Sequence, residues 1–290
     1  MTEFLQFALS GITVGSVYAL VALGFALIYN ASDVINFAQG EFVMIGGMTA
    51  AGLVGLGAPL AAAALGATVV AAIVGLLIEK FAVQPVLDEP PATIIIVTIG
   101  ASLLLRGIAQ IVFGKQNHDL PSFVGEQTIS IGGATIQPQA VAVLAGAAIV
   151  FVGLRIFLTK TGIGREIRAT AANRFAARLF GVEIGRIFAV SFLLSAVIGA
   201  IGGLLIAPIA LTRYDVGSLL ALKGFAAAML GGMGNPLGAL LGGLLIGLME
   251  GFGAGYLSST YKDAIAFSAL LAALMFMPNG LLGASKAERV

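Results

Sequence analysis

Long apolar runs alternate with short polar stretches along this 290-residue chain, and several runs reach the ~20 residues that a helix needs to cross a bilayer. This pattern predicts an all-α polytopic membrane protein with about eight or nine transmembrane helices, some short or broken, in a single domain covering residues 1–290. The longer predicted spans cover residues 4–29, 59–87, 92–113, 138–159, 187–211, 236–257 and 263–283.

Two places in the chain predict irregular helices. Polar residues interrupt the apolar pattern between positions 30 and 42, which favours either a turn or a re-entrant segment beside a transport pathway. A simple turn places the N-terminus on the outer side of the membrane, whereas a re-entrant segment places it on the opposite side. Residues 219–236 allow only ~14 helical residues before GGMGNP, or ~21 Å of a ~30 Å hydrocarbon core. A short or half helix is therefore expected there.

Composition excludes a soluble globule, because only 10% of the residues are charged and the mean hydropathy is +1.06. Forty glycines fit closely packed helices in lipid. The sequence has no cysteine and a single histidine, His118, so we expect neither a disulfide nor a Cys- or His-based metal site. A membrane enzyme would need His, Asp or Glu clustered at ligand spacing, and the sequence contains no such cluster.

Residues 160–186 contain six of the fifteen Lys and Arg residues. A cation at the bilayer centre costs ~2.5–3.5 kcal/mol, so this segment must lie in water, and its positive charge predicts the cytoplasmic side. Ile167, Ala171, Phe175 and Leu179 recur every four residues, which predicts one apolar helix face. Either this helix docks against a partner, or the segment is a solvated loop that sets topology and contacts anionic lipid.

The second long polar stretch, residues 114–137, is poor in Lys and Arg and is therefore expected on the external, periplasmic side. Within it, QTISIGGATI predicts a β-hairpin, because two short β-prone arms flank Gly132 and Gly133.

The halves of the chain also contain a weak repeat. Residues 44–48 and 229–233 share a Met-x-Gly-Gly-Met pattern, each followed by a proline, a small-residue helix and a glutamate. Opposed copies of this kind predict an inverted repeat with a transport pathway at its interface. Polar residues inside or beside the spans are candidates near that pathway, although helix packing explains each equally well: Asn36, Gln39, Glu41, Lys223 and Glu250. Arg106 is either functional or extends its side chain to the interface.

Four stretches together, 15–42, 162–187, 222–251 and 277–283, resemble the branched-chain amino acid ABC transporter permease family. The similarity runs in order over nearly the whole chain and is closer to the H-type permease than to its longer M-type partner. It implies a type II importer-like fold in a bacterial inner membrane. It also implies a second permease, commonly the M-type paralogue, two cytoplasmic ATP-binding subunits that hold ATP and Mg, and a periplasmic solute-binding protein.

Importer permeases share a cytoplasmic loop with the pattern EAA, three residues, Gly. Residues 175–181 fit this pattern, except that Phe175 replaces the glutamate. The resemblance thus implies a coupling loop at 160–186 whose residues dock on the ATPase: Arg165, Arg168, Arg174, Phe175, Ala176, Ala177, Arg178, Leu179 and Gly181.

The sequence contains no phosphate-binding G-x-x-x-x-G-K-[ST] loop, so we expect no ATPase site and no cofactor in the chain itself. The predicted function is that of a non-enzymatic permease subunit in an ATP-driven importer of branched-chain or related hydrophobic amino acids, working by alternating access. The alternatives are a stand-alone secondary transporter or channel for a small polar solute, and a permease of the same family for urea or amides.

Overall fold

The computed structural model describes residues 2–87, 89–125, 127–131 and 133–283. Within these ranges, six helices are long and apolar enough to cross a membrane. They are α1 (Thr2–Ser32), α3 (Leu60–Ile78), α4 (Pro91–Phe113), α5 (Pro138–Lys160), α8 (Ile184–Ala210) and α10 (Pro236–Phe252). The π-turn Glu79–Val83 and the 3-10 turn Gln84–Val86 continue α3, and the π-turn Gly253–Leu257 continues α10.

The remaining helices are shorter: α2 (Gln39–Gly55), α6 (Gly162–Ala172), α7 (Arg174–Leu179), α9 (Val216–Gly231) and α11 (Lys262–Phe276). The all-α polytopic prediction is confirmed, including the short helix before GGMGNP. That helix, α9, has 16 residues and ends where Gly232 adopts a φ of 102°.

The strands β1 (Ile129–Ile131) and β2 (Ala134–Ile136) form the predicted hairpin, with Ile131 opposite Ala134. Gly133 sits in the turn with a φ of 88°, a conformation that glycine adopts without steric cost. The other turn residue, Gly132, lies outside the described residues.

The helical bundle has two ends: the hairpin side, which contains β1 and β2, and the arginine side, which contains α6 and α7. At the hairpin side, the Gln6 amide donates to the Thr135 carbonyl at 3.0 Å and accepts from the Thr135 N–H at 2.9 Å. The start of α1 therefore lies beside the hairpin. At the opposite end, the arginine side, Asn30 donates to the Gly234 carbonyl at 2.6 Å, close to α6 and α7.

The polar segment at 33–38 re-enters the helical bundle without crossing it. Helix α1 ends at Ser32, yet Gln39 at the start of α2 lies against Gly24 and Ser195, within the lengths of α1 and α8. From there α2 runs toward the hairpin side, where Gly47 approaches Thr212 and Gly52 approaches Phe113. The sequence allowed either a turn or a re-entrant segment here, and the structure has a turn whose residues lie inside the bundle. The N-terminus lies on the hairpin side.

The two halves repeat the same order of elements in opposite directions. A long helix (α1 or α8), a break, a short helix (α2 or α9) and a helix ending in a π-turn (α3 or α10) follow one another in each half. Each break begins with a left-handed residue, Asp33 or Leu211, both with a φ of 55°. The two Met-x-Gly-Gly-Met motifs do not correspond in this repeat, because one lies early in α2 and the other spans the end of α9.

Glycines allow a close contact between the antiparallel helices α1 and α10. An added Cβ at Gly247 would overlap backbone atoms of Gly11 and Gly15, and one at Gly243 would overlap the backbone of Ala19. Two helices can approach this closely only where side chains are absent, so these residues determine the spacing of the central helices.

The first prediction concerns this contact. Gly247→Ala should lower the melting temperature of the purified protein, because overpacking a close contact costs roughly 1–3 kcal/mol. Gly153→Ala on α5 is the matched control, since no atom lies within 4 Å of its added Cβ. Equal melting temperatures for both variants would contradict the assigned packing.

Candidate functional site

The arginine-rich segment is two helices rather than the single helix that the sequence predicts. Asn173 interrupts it with an extended backbone (φ −161°), and its side-chain oxygen caps α7 by accepting from the Ala176 N–H at 2.9 Å. The predicted four-residue stripe is wrong for the same reason. Ile167 on α6 is buried, whereas Phe175 and Leu179 on α7 point away from the bundle.

Helix α7 exposes a compact apolar patch, which we call the α7 patch: Phe175, Leu179 and Phe180, with exposures of 73%, 72% and 90%. Gly181 ends the helix in a left-handed conformation (φ 85°). The Gly181 N–H bonds the Arg178 carbonyl, and the Val182 N–H bonds the Ala177 carbonyl. This pair of bonds is the Schellman pattern, which explains the glycine that ends the EAA-like motif.

The other predicted docking residues differ in exposure. Arg165, Arg168 and Arg178 are exposed, and Ala176 is partly buried. Ala177 is the buried residue of α7. The Arg174 guanidinium lies 4.6 Å from the centre of the Phe188 ring on α8. Helix α7 is thus fixed to the start of α8 on one face and free on the other.

A second polar site lies near the hairpin side and consists of Tyr18, Lys223, Glu250, Lys262 and Asp263, which we call the hairpin-side cluster. The Lys223 ammonium is 2.8 Å from Glu250 Oε2, 2.9 Å from the Tyr18 hydroxyl and 2.6 Å from Asp263 Oδ1. The Tyr18 hydroxyl in turn donates to Glu250 Oε2 at 2.7 Å. Two of the sequence-predicted pathway residues, Lys223 and Glu250, are therefore direct partners.

The cluster balances its own charge. Two ammonium groups and two carboxylates sum to zero, and Lys262 lies 3.5 Å from Glu250 Oε1 at the more exposed edge. Buried charges are tolerated in a membrane interior when they pair with one another, so this balance explains how α9 and α10 hold ionised side chains.

A cavity of about 210 Å³ adjoins the cluster. Tyr18, Lys223, Glu250 and Lys262 form its polar wall. The rest of the lining is mostly apolar and comes from five elements: Val14, Val17, Val43, Gly203, Ile206, Ala210, Leu211, Thr212, Val216, Leu219 and Leu220. The break between α8 and α9 therefore forms part of the wall.

A third polar site joins α2 to α4. Glu41 is fully buried, and its Oε1 atom accepts from the Ser102 hydroxyl at 2.7 Å and lies 3.3 Å from Arg106 Nε. Arg106 also donates to Ser102 at 3.3 Å. Of the two alternatives for Arg106, extension to the interface is thus wrong, because the side chain turns inward to pair with Glu41.

Asn36 and Gln39 occupy structural positions in the re-entrant segment. The Asn36 Oδ1 atom accepts from the Ala38 N–H at 3.1 Å, and Gln39 bonds both the hydroxyl and the carbonyl of Ser195. These bonds satisfy the Ala38 N–H and the Gln39 side chain in the re-entrant segment, whereas the Asn36 Nδ2 group is buried without a hydrogen-bond partner in the described residues.

Sequence reasoning missed several partners in these sites, namely Tyr18, Ser102, Lys262 and Asp263. One signal was available for Ser102. Thr98, Ser102 and Arg106 are spaced four residues apart, which places them on one face of α4. The Tyr18 pairing had no such signal, because Tyr18 and Glu250 are 232 positions apart.

The second prediction tests the ion pair between α2 and α4. Arg106→Met leaves the buried Glu41 carboxylate unpaired, which should lower the free energy of unfolding by about 3–5 kcal/mol. Adding Glu41→Gln should restore most of the lost stability, as measured by chemical unfolding in detergent.

Arg213→Met is the control, since Arg213 and Asp215 form an exposed pair in the loop between α8 and α9. The hydrogen bonds to Asp215 raise the pKa of the Arg213 guanidinium, but solvent screens such a pair. We expect no measurable loss of stability, and a loss equal to that of Arg106→Met would contradict the interpretation.

Comparison with known proteins shows what the whole chain is similar to. The high-affinity branched-chain amino acid transport system permease protein LivH of Salmonella typhimurium is 34% identical over 99% of this chain and 98% of its own length. The corresponding protein BraD of Pseudomonas aeruginosa is 32% identical over the same shares. The structure of PsaBC from Streptococcus pneumoniae in complex with Fab superposes with a TM-score of 0.50 at 14% identity, covering 94% of this chain and 91% of that one, and supports the fold.

A family model also matches nearly the whole chain. The match covers residues 7–277 and therefore includes the α7 patch, the hairpin-side cluster and the pair of Glu41 and Arg106. Together with these relatives, the six long apolar helices found in the described residues make the chain a multi-pass protein of the inner membrane. The chain belongs to the family described as the permease component of the branched-chain amino acid transport system.

Proposed function

We propose that this chain is a permease subunit that moves branched-chain or related hydrophobic amino acids across the membrane, driven by separate ATP-binding subunits. The observation that supports this most directly is the α7 patch, an exposed group of large apolar side chains on a helix that also exposes Arg178. Such a patch at the end of a helical bundle fits a protein partner, with aromatic anchors in a groove and charges at the rim.

The arginine side is the cytoplasmic side in this proposal. The concentration of Lys and Arg between residues 160 and 186 favours that orientation, and the hairpin side then faces the periplasm. An ATP-binding subunit on the cytoplasmic side reaches the α7 patch, while a periplasmic binding protein delivers the amino acid to the other end.

Helix α8 provides a mechanical connection between these ends. Arg174 and Phe188 join α7 to the start of α8, and the far part of α8 contributes Ile206 and Ala210 to the cavity at the hairpin side. Closure of the ATP-binding subunits moves α7, and the continuous helix α8 transmits that movement. Alternating access follows when the two halves of the inverted repeat tilt against each other.

The energy comes from partner subunits. The sequence contains no phosphate-binding loop, so ATP and Mg bind to the ATP-binding subunits and this chain performs no hydrolysis. A second permease, of the M-type or an identical copy, completes the pathway. Polar residues near that pathway are Lys223 and Glu250, whereas Asn36, Gln39 and Glu41 support the helices around it.

The third prediction tests docking. Phe175→Asp combined with Arg178→Asp should abolish both ATP-dependent leucine uptake and co-purification of the ATP-binding subunits, because it removes an apolar anchor and reverses a rim charge. Uptake is measured in proteoliposomes, and co-purification by affinity capture from detergent.

Val124→Asp combined with Lys115→Asp is the control, since it makes the same kinds of change at exposed residues on the hairpin side. Co-purification should remain at the wild-type level in that control. Retention of the ATP-binding subunits by the Phe175 and Arg178 variant would reject the docking surface.

The fourth prediction separates an ATP-driven importer from a stand-alone transporter or channel. Proteoliposomes with both permease subunits but no ATP-binding subunits should accumulate no leucine under a proton or sodium gradient. Accumulation under either gradient would favour the stand-alone transporter, and loss of that accumulation in Glu250→Gln would identify the coupling group.

A further inference from the structure

The cavity beside the hairpin-side cluster has the chemistry of a binding site for a small zwitterion. Its volume of about 210 Å³ lies below the ~300–1,000 Å³ of sites for drug-sized ligands, so its occupant must be small. Apolar side chains form most of its lining, and charged groups converge at one wall. The irregular backbone between α8 and α9 also contributes to the lining, through Leu211 and Thr212.

The hydrogen bonds within the cluster leave one position suited to a ligand. Glu250 Oε2 already accepts from Tyr18 and Lys223, and Lys223 donates to Glu250 and Tyr18. Asp263 Oδ1 lies 2.6 Å from the Lys223 ammonium but is itself buried, so it offers no position to a ligand. The contact between Glu250 Oε1 and Lys262 is longer, at 3.5 Å, and the Lys262 side chain is 46% exposed. This loose pair faces the cavity with one negative and one positive group.

We propose that a hydrophobic amino acid binds in this cavity by inserting its zwitterionic end between Glu250 and Lys262. The ligand ammonium pairs with Glu250 Oε1, and the ligand carboxylate pairs with Lys262. Its apolar side chain contacts Val14, Ile206 and Leu219 in the lining. One loose ion pair is replaced by two, so no unpaired charge is created. Tyr18 and Lys223 act as positioning residues that hold Glu250.

The position of the cavity agrees with entry from the delivery side. Thr212 in its wall pairs through backbone hydrogen bonds of 2.8 Å with His118 in the hairpin-side loop, and Lys262 begins α11 at the same end. Aromatic stacking of Phe252 on Phe4, with ring centres 5.0 Å apart, also places this part of α10 beside the start of α1. The proposal rests on the proposed function, because that function supplies the substrate class.

Photo-leucine, a leucine analogue with a diazirine, tests the site directly in the complete transporter reconstituted in nanodiscs. Light should attach it to peptides that line the cavity in α1, α8 or α9, and excess unlabelled leucine should prevent the labelling. Leucinamide, which lacks the carboxylate, and 4-methylpentanoate, which lacks the ammonium, should compete at least about tenfold more weakly, because each loses one ion pair. Equal competition by either analogue would overturn the proposed pairing.

Two substitutions on α9 separate binding from folding. Leu219→Trp fills the cavity without touching the cluster and should abolish competed labelling and leucine uptake. Leu222→Trp changes a similarly exposed residue outside the cavity lining and should leave both at wild-type levels. Lys262→Met removes a half-exposed partner and should weaken competed labelling by about tenfold or more at an unchanged melting temperature. Unchanged competed labelling in Leu219→Trp would reject the site.

The outcomes also separate this proposal from the proposed function. Normal ATP-dependent leucine uptake in Leu219→Trp and Glu250→Gln would overturn the site while the transport function stands. Competed labelling of the cavity in a wild-type complex that takes up no leucine would support the site and contradict the proposed function.

Discussion

The cost of an unpaired charge in hydrocarbon determines how this bundle is built. Two sets of charged side chains in the bundle pair with opposite charges, Glu41 with Arg106 and Lys223 with Glu250 and Asp263. Each set joins a short helix to its neighbours, α2 to α4 in one half and α9 to α10 and α11 in the other. The inverted repeat therefore appears in the ion pairs as well as in the order of elements. The short helix carries a negative charge in one half, Glu41 on α2, and a positive charge in the other, Lys223 on α9.

Close glycine packing complements these ion pairs. Lipid offers little hydrophobic driving force between helices, so contact depends on van der Waals packing and buried polar bonds. The glycine contact between α1 and α10 supplies the van der Waals packing. The hydrogen bond from Tyr18 to Glu250 is a buried polar bond between the same two helices. Helices α3, α4 and α5 instead present large apolar side chains outward, which suits lipid or a second permease subunit.

Much of the fold was predictable because lipid imposes simple rules on sequence. Apolar length identified the spans, GGMGNP marked the end of α9, and the paired glycines identified the hairpin. The helix break at Asn173 was harder to predict, because an asparagine can also lie inside a helix. Here its side chain caps α7 instead. The partners of Lys223 and Glu250 were unpredictable, since such contacts depend on how distant helices pack. The EAA-like motif identified α7, but only the structure revealed that its glycine ends the helix in a left-handed conformation.

The zero net charge of the hairpin-side cluster has a consequence for how the transporter responds to voltage. Moving one elementary charge through a membrane potential of 100 mV involves ~2.3 kcal/mol. The two ammonium groups and two carboxylates of the cluster cancel, and a zwitterion adds none. A shift of this cluster along the membrane normal, with the proposed zwitterionic ligand bound, would therefore carry no net charge through the membrane potential.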